Sequence, residues 1–88
     1  MKVVVPIIHM NGSGATNLVG LRVEMLAKLD AAINALGAMA PNGRDYYPVP
    51  GKLDEALAAH QERLDALNNV RNAIEVECIA IQDLEDAR

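Results

Sequence analysis

Two aliphatic stripes, each with a spacing that alternates between three and four residues, leave this chain few folds to choose from. The first runs through Leu18, Met25, Leu29, Ala32, Leu36 and Met39, with Arg22 filling its one gap and Leu21, Leu26 and Ile33 widening it. The second runs through Leu53, Leu57, His60, Leu64, Leu67, Arg71, Ile74, Cys78 and Ile81. A repeat near 3.5 residues lines each set along one side of an α-helix, where it can pack against a second helix. Between the stripes stand Pro41, Asn42, Gly43, Pro48, Pro50 and Gly51, which stop one helix and turn the chain before the next. The sequence therefore predicts an all-α fold, an antiparallel two-helix hairpin. A single domain covers residues 1–88, with an N-terminal arm and turn over 1–14, helix one over 15–39, a loop over 40–51 and helix two over 52–86.

The arm reads differently from the rest. "KVVVPII", residues 2–8, is β-branched enough for a strand, but Pro6 removes a ladder donor and confines it to a short edge strand. No second strand pattern exists to receive it, so it pairs with a copy of itself or lies extended over the helices. "HMNGSGAT" follows, a turn cluster in which Ser13 or Thr16 is placed to cap helix one. Gly20 costs helix one up to about 1 kcal/mol unless something packs close to it.

Composition makes this hairpin insufficient by itself. Half of the 88 residues are apolar, yet there is no Phe or Trp and much of the remainder is Ala. At roughly 25 cal/mol per Å² of buried apolar surface, such side chains barely offset about 1.5 kcal/mol per residue of conformational entropy. From Ala73 onward, Val76, Ile79, Ala80 and Leu84 add a second apolar face to helix two, which asks for a second partner. Helix two also outreaches helix one by about a dozen residues, or roughly 18 Å. The expectation is a homo-oligomer, a dimer or an assembly built from dimers, that buries this overhang together with the arm.

The same composition excludes several functions. Twelve acidic against eight basic residues disfavour a duplex nucleic-acid partner, which normally meets a basic face. "VVVPII" is far shorter than the roughly 20 residues of a membrane span, and no secretory leader is read. Cys78, in the apolar run "IEVECIAI", reads as a small hydrophobe in a helix interface and fits a reducing, cytosolic setting. No Cys–His or Ser–His–Asp arrangement, carboxylate pair or metal-ligand spacing is present. The reading is of a protein that is not an enzyme, with no catalytic residue, no metal and no cofactor.

What remains is the connector. It holds both aromatic residues of the chain, side by side and close to an arginine, in "PNGRDYYP". Asn42 and Gly43 supply a tight turn that tolerates positive φ, and successive amides there can converge on an anion. Arg44 offers a planar, permanently charged fork for phosphate or carboxylate. Asp45 follows, and Tyr46 and Tyr47 each offer a face for a base and a hydroxyl for a ribose or phosphate oxygen. In the competing reading a tyrosine plugs the open end of the helix pair while Arg44 and Asp45 pair with each other. Neighbours in extended chain point in opposite directions, so one ring can plug while the other stacks.

A second candidate is the turn before helix one, where exposed N–H groups and the helix dipole favour an anion. His9, Asn11, Gly12 and Ser13 would add donors; ordinary capping explains the same residues. No Lys follows the glycines, so it is not a Walker loop. The two segments are separated by about 22 helical residues, some 33 Å, and can serve one ligand only across two subunits. His60, Arg22 and Arg71 interrupt the stripes. An antiparallel hairpin brings Arg22 near the region of Arg71, with Glu24, Glu75 and Glu77 to neutralise them in a buried structural network.

"HMNGSG" ahead of helix one and "PNGRDYYP" before helix two together resemble a group of short bacteriophage proteins, over nearly the whole chain. More loosely, a helical hairpin with Arg and Tyr at its connection is similar to the oligomeric phage sponge proteins that block CBASS and Thoeris defence. Those sequester cyclic oligonucleotides or cyclic ADP-ribose isomers without cleaving them. The resemblance implies a phage-encoded, anti-defence, nucleotide-binding homo-oligomer in the host bacterial cytoplasm. Arg44 would then take phosphate and Tyr46 or Tyr47 the base. The alternative is a virion structural or adaptor protein, or an inhibitor that presents the tyrosine loop to a protein.

Overall fold

The computed structural model describes residues 1–10 and 12–87. Helix α1 spans Ala15–Ala38 and helix α2 spans Lys52–Asp86, with a single 3-10 turn, Gly43–Asp45, in the connector. The helices pack as an antiparallel hairpin. Arg22 meets Glu77 and Asp30 meets Arg71, so the chain advances along one helix as it retreats along the other. The result is a rod of 63 × 20 × 19 Å with a radius of gyration of 18.6 Å, against about 12 Å for a compact chain of this length. None of its helices is long and apolar enough to cross a membrane, among the described residues.

The stripe read for α2 is the stripe used, except at Leu57, which lies beyond the end of α1 and is 44% exposed. Leu53, His60, Leu64, Leu67, Arg71, Ile74 and Cys78 are half-buried along it, and Ile81 is wholly buried. On α1 the seam is rotated from the expected one. Ala15, Leu29 and Leu36 are buried and Leu18, Val19, Arg22, Leu26 and Ile33 half-buried, whereas Met25, Ala32 and Met39 lie outside. Both phases keep the 3.5-residue spacing. Arg22, Leu29 and Leu36 belong to both, and the seam takes Leu26 and Ile33 beside them in place of Met25, Ala32 and Met39.

Two expectations about the ends are corrected. The register set by the cross-helix ion pairs places Ala15 level with the last turn of α2 and Ala38 level with about residue 62. The excess length of α2 is therefore its first ten or so residues, about 15 Å at the connector end, not its C-terminal end. The connector runs back along it, close enough that a Cβ added to Gly43 would lie 3.9 Å from Leu53 Cδ2. Neither Ser13 nor Thr16 caps α1. Gly14 is its N-cap with φ −70° and ψ 154°, and no side chain bonds the free amides. The helix begins one residue after the last glycine, which leaves Ser13 outside it and puts Thr16 past the capping position.

No strand forms among the described residues. The arm lies extended along α2 and parallel to it: Met1 and Val3 border Asn69, Asn72, Ala73 and Val76, and Val5 borders Ala80, Asp83 and Leu84. Those α2 residues recur at helical spacing on the second apolar face read from the sequence. Part of that face is thus covered by the chain's own arm. One carboxylate ties the three segments together: Glu77 accepts from Arg22 Nε at 2.9 Å and from the Val4 amide at 3.3 Å. Arg22 also donates to the Leu18 carbonyl at 3.1 Å.

Candidate functional site

The connector folds on its own hydrogen bonds. Asn42, with extended backbone, accepts the Arg44 amide on Oδ1 at 2.9 Å, and its carbonyl accepts the Asp45 amide at 3.2 Å. The Gly43 carbonyl accepts from both Tyr46 and Tyr47, at 3.2 and 3.0 Å. Further on, Val49 closes onto Tyr46 and Lys52 onto Val49. Positive φ falls on Gly51, at 81°, where the chain reverses into α2, and not on Asn42 or Gly43. Asn42 takes the Asx geometry because its side chain can replace a backbone acceptor.

These bonds decide what the turn can offer. The amides of Arg44, Asp45, Tyr46 and Tyr47 are all engaged within the turn, so they do not form the anion cradle that the sequence suggested. The side chains are in the opposite state. Arg44 is exposed, and no ion pair among the described residues uses its guanidinium or the Asp45 carboxylate. Tyr46 is half-buried, while Tyr47 is 81% exposed. One ring is thus partly covered and the other open to solvent, although the two residues lie in a turn and not in the extended chain expected from the sequence. What the turn presents is a free cationic fork and an uncovered aromatic face on the tip of the rod.

The other candidate segment lies at the far end of α1. His9, Gly12 and Ser13 are exposed, and Gly12 donates to the His9 carbonyl at 3.2 Å. A Cβ on Gly12 would come within 2.7 Å of His9 Nε2, so the ring folds over this glycine. Asn11 lies outside the described residues. The 24 residues of α1 hold the two segments some 36 Å apart, and one subunit does not bring them together.

The seam charges are paired across and along the helices but none is buried among the described residues, so the buried network expected from the sequence is a half-exposed one. Arg22 and Glu77 are each 21% exposed and face each other across the seam. Arg71 grips Asp30 with Nε on Oδ1 at 2.6 Å and Nη2 on Oδ2 at 3.5 Å, and its Nη1 bonds Glu75. These hydrogen bonds, with the adjacent positive charge, hold the Asp30 carboxyl below its ordinary value and raise Arg71 further. Sequence reasoning missed Asp30, which the hairpin register alone could have supplied. Arg22 and Arg71 sit about two turns apart, each with its own acid, and Glu24 pairs with Lys28 instead, at 3.0 Å. Among the described residues no group of His, Cys, Asp and Glu could hold a metal ion. No protein-family model matches the chain, and no curated protein or solved structure is similar to it.

Proposed function

We propose that this chain is a non-catalytic binding protein that sequesters a small phosphorylated nucleotide at its Asn42–Tyr47 turn, working as a homo-oligomer. A phage-encoded sponge for a cyclic oligonucleotide or a cyclic ADP-ribose isomer in the host cytoplasm is the form suggested by the sequence resemblance. The observation that carries the reading is that one short turn holds both Arg44, which no ion pair among the described residues uses, and the exposed Tyr47 ring. Exposing a charged fork and a phenol ring does nothing for the seam. Both suit a ligand that has a phosphate and a base. With the turn amides engaged, Arg44 takes the phosphate through its side chain. Tyr47 stacks, while Tyr46 is half-buried.

The test is thermal denaturation against a panel of cyclic oligonucleotides and ADP-ribose isomers. A ligand at a hundred times its Kd stabilises by about 2.7 kcal/mol, a rise of roughly 11–22 °C for a domain of this size. Arg44→Ala should abolish the rise and leave the unliganded Tm in place. No shift with any member of the panel would defeat the reading. A second reading has its own observation: Met39, Tyr47, Val49 and Leu57 all expose apolar surface at the connector end, as a protein hot spot would. A host protein that co-purifies with the wild type and is lost in Tyr47→Ala would favour it.

A further inference from the structure

An extended segment sends successive side chains to opposite sides, and the arm is apolar on both. On one side Val3 is half-buried while Ile7 is 81% exposed, and on the other Pro6 and Ile8 are half-buried while Val4 is 64% exposed. Beside them Val76, Ile79 and Leu84 of α2 also remain exposed, and an open groove of about 550 Å³ runs between Val5–Ile8 and Leu84. Of the arm's amides over residues 2–8, only that of Val4 is bonded within the chain. An extended backbone with free amides and an apolar outer face is a template for another strand.

Area and charge name the occupant. The chain exposes 6353 Å², where a compact monomer of 9.4 kDa exposes about 5,000 Å². The surplus exceeds the roughly 800 Å² per partner that a stable interface removes. Lys2, at the start of the arm, takes part in none of the ion pairs among the described residues. The end of α2 carries Asp83, Glu85 and Asp86, with no basic residue in its last turn. Within one copy the arm runs parallel to α2, which keeps Lys2 near Asn69–Val76 and away from that acidic end. A two-fold axis beside Val4 reverses the second copy, and the basic start of each arm then falls on the acidic end of the other copy's α2.

We propose that the arm and the C-terminal half of α2 form a two-fold interface with a second copy of this chain. The arms run antiparallel, Ile7 is buried between the copies, and Lys2 of each faces Asp83 of the other. Because the axis lies near Glu77, well toward the C-terminal end of α2, the rods overlap only in part. Each Asn42–Tyr47 turn then projects on the order of 20 Å past the other copy's His9 and Ser13. The pair does not merge the two candidate segments into one site. The pairing needs no ligand, so a chain that dimerises but binds no nucleotide defeats only the reading above.

Sedimentation velocity tests it. The wild type should sediment as a dimer, or an even multiple of it, and Ile7→Glu as a 9.4 kDa monomer with its helicity intact by circular dichroism. Lys2→Glu should weaken association about tenfold, as two exposed pairs become repulsions, and adding Asp83→Lys should restore it. Both residues are exposed, so this exchange decides the matter even if Ile7→Glu fails to fold. A wild type that stays monomeric up to about 100 μM, above the micromolar range in which such interfaces form, overturns the proposal. So does a dimer indifferent to Ile7→Glu, or a double exchange that does not recover what Lys2→Glu lost.

Discussion

Glu77→Ala should loosen three segments at once. The carboxylate receives a charge-assisted bond from Arg22 Nε at 2.9 Å and a longer one from the Val4 amide at 3.3 Å. A hydrogen bond to a charged group contributes about 1.5–3 kcal/mol. Both side chains keep 21% exposure, so water recovers part of that, and the Leu18 carbonyl still holds Arg22 Nη1. A loss of about 2 kcal/mol follows. A chain of 88 residues has a total stability of about 4–13 kcal/mol, and so thin a core sets this one toward the lower end. The Tm should fall by roughly 8–16 °C. The assay is circular dichroism at 222 nm at one fixed protein concentration, because association also moves Tm. A double-mutant cycle with Arg22→Met should return a coupling of about 1 kcal/mol or more. Glu24→Ala is the control: its pair with Lys28 is exposed on both sides and contributes about 0.3–0.5 kcal/mol. If Glu77→Ala moved Tm no more than Glu24→Ala, or the cycle showed no coupling, Glu77 would not join arm and helices.

Three further outcomes are expected. Ile81, the one large side chain that is fully buried among the described residues, should cost about 2–5 kcal/mol as Ile81→Ala; urea denaturation showing less than about 1 kcal/mol would mean that it is not the core. Nothing lies within 4 Å of a Cβ placed on Gly20, so Gly20→Ala should stabilise α1 by about 0.5–1 kcal/mol; a fall in Tm would show that another chain packs there. The Asp30 carboxyl, lowered from an ordinary 3.8 by Arg71, contributes stability that is complete above that value and lost as pH falls through the lowered one. The difference between wild type and Asp30→Asn in urea should therefore hold at neutral pH and shrink below about pH 4; a constant difference down to about pH 2 would exclude the ion pair as its source.

The hairpin was legible because its cause is periodic. A 3.5-residue repeat on both sides of a Pro- and Gly-rich connector admits little else, and every seam position of α2 from His60 to Ile81 lies where its spacing put it. The phase of α1 was not, since Leu18 and Val19 are adjacent aliphatics, as are Met25 and Leu26, and either column can head a stripe. Arg22, Leu29 and Leu36 are common to both columns, and only packing against α2 shows that Leu26 and Ile33, not Met25 and Ala32, turn inward. The end at which α2 overhangs was not legible for a related reason: helix lengths say that α2 is longer, but only the pairing of Arg22 with Glu77 says at which end. At the connector, residue types pointed to an exposed cation and ring, as found at Arg44 and Tyr47. The fate of the amides depended on Asn42 choosing its own turn, which composition does not encode.

The position of the connector makes its two tyrosines separable. It rests on the part of α2 that extends beyond α1, so its outward side chains bear on no residue of the seam. Tyr47, 81% exposed, has little stability to lose; Tyr47→Ala should leave the unfolding free energy within about 0.5 kcal/mol of wild type. If the ring stacks on a base, the same substitution should weaken binding by about 1–3 kcal/mol, five- to more than a hundredfold in Kd. Tyr46, half-buried, should behave otherwise. Tyr46→Ala uncovers what the half-buried ring covers, so Tm and affinity should fall together, and a phenylalanine at the same position should recover most of the stability. Paired thermal-shift and calorimetric titrations on the three variants give both quantities. If Tyr47→Ala destabilised the chain as much as Tyr46→Ala, the outer ring would be part of the packing, and the assignment of one ring to the fold and the other to a ligand would be wrong.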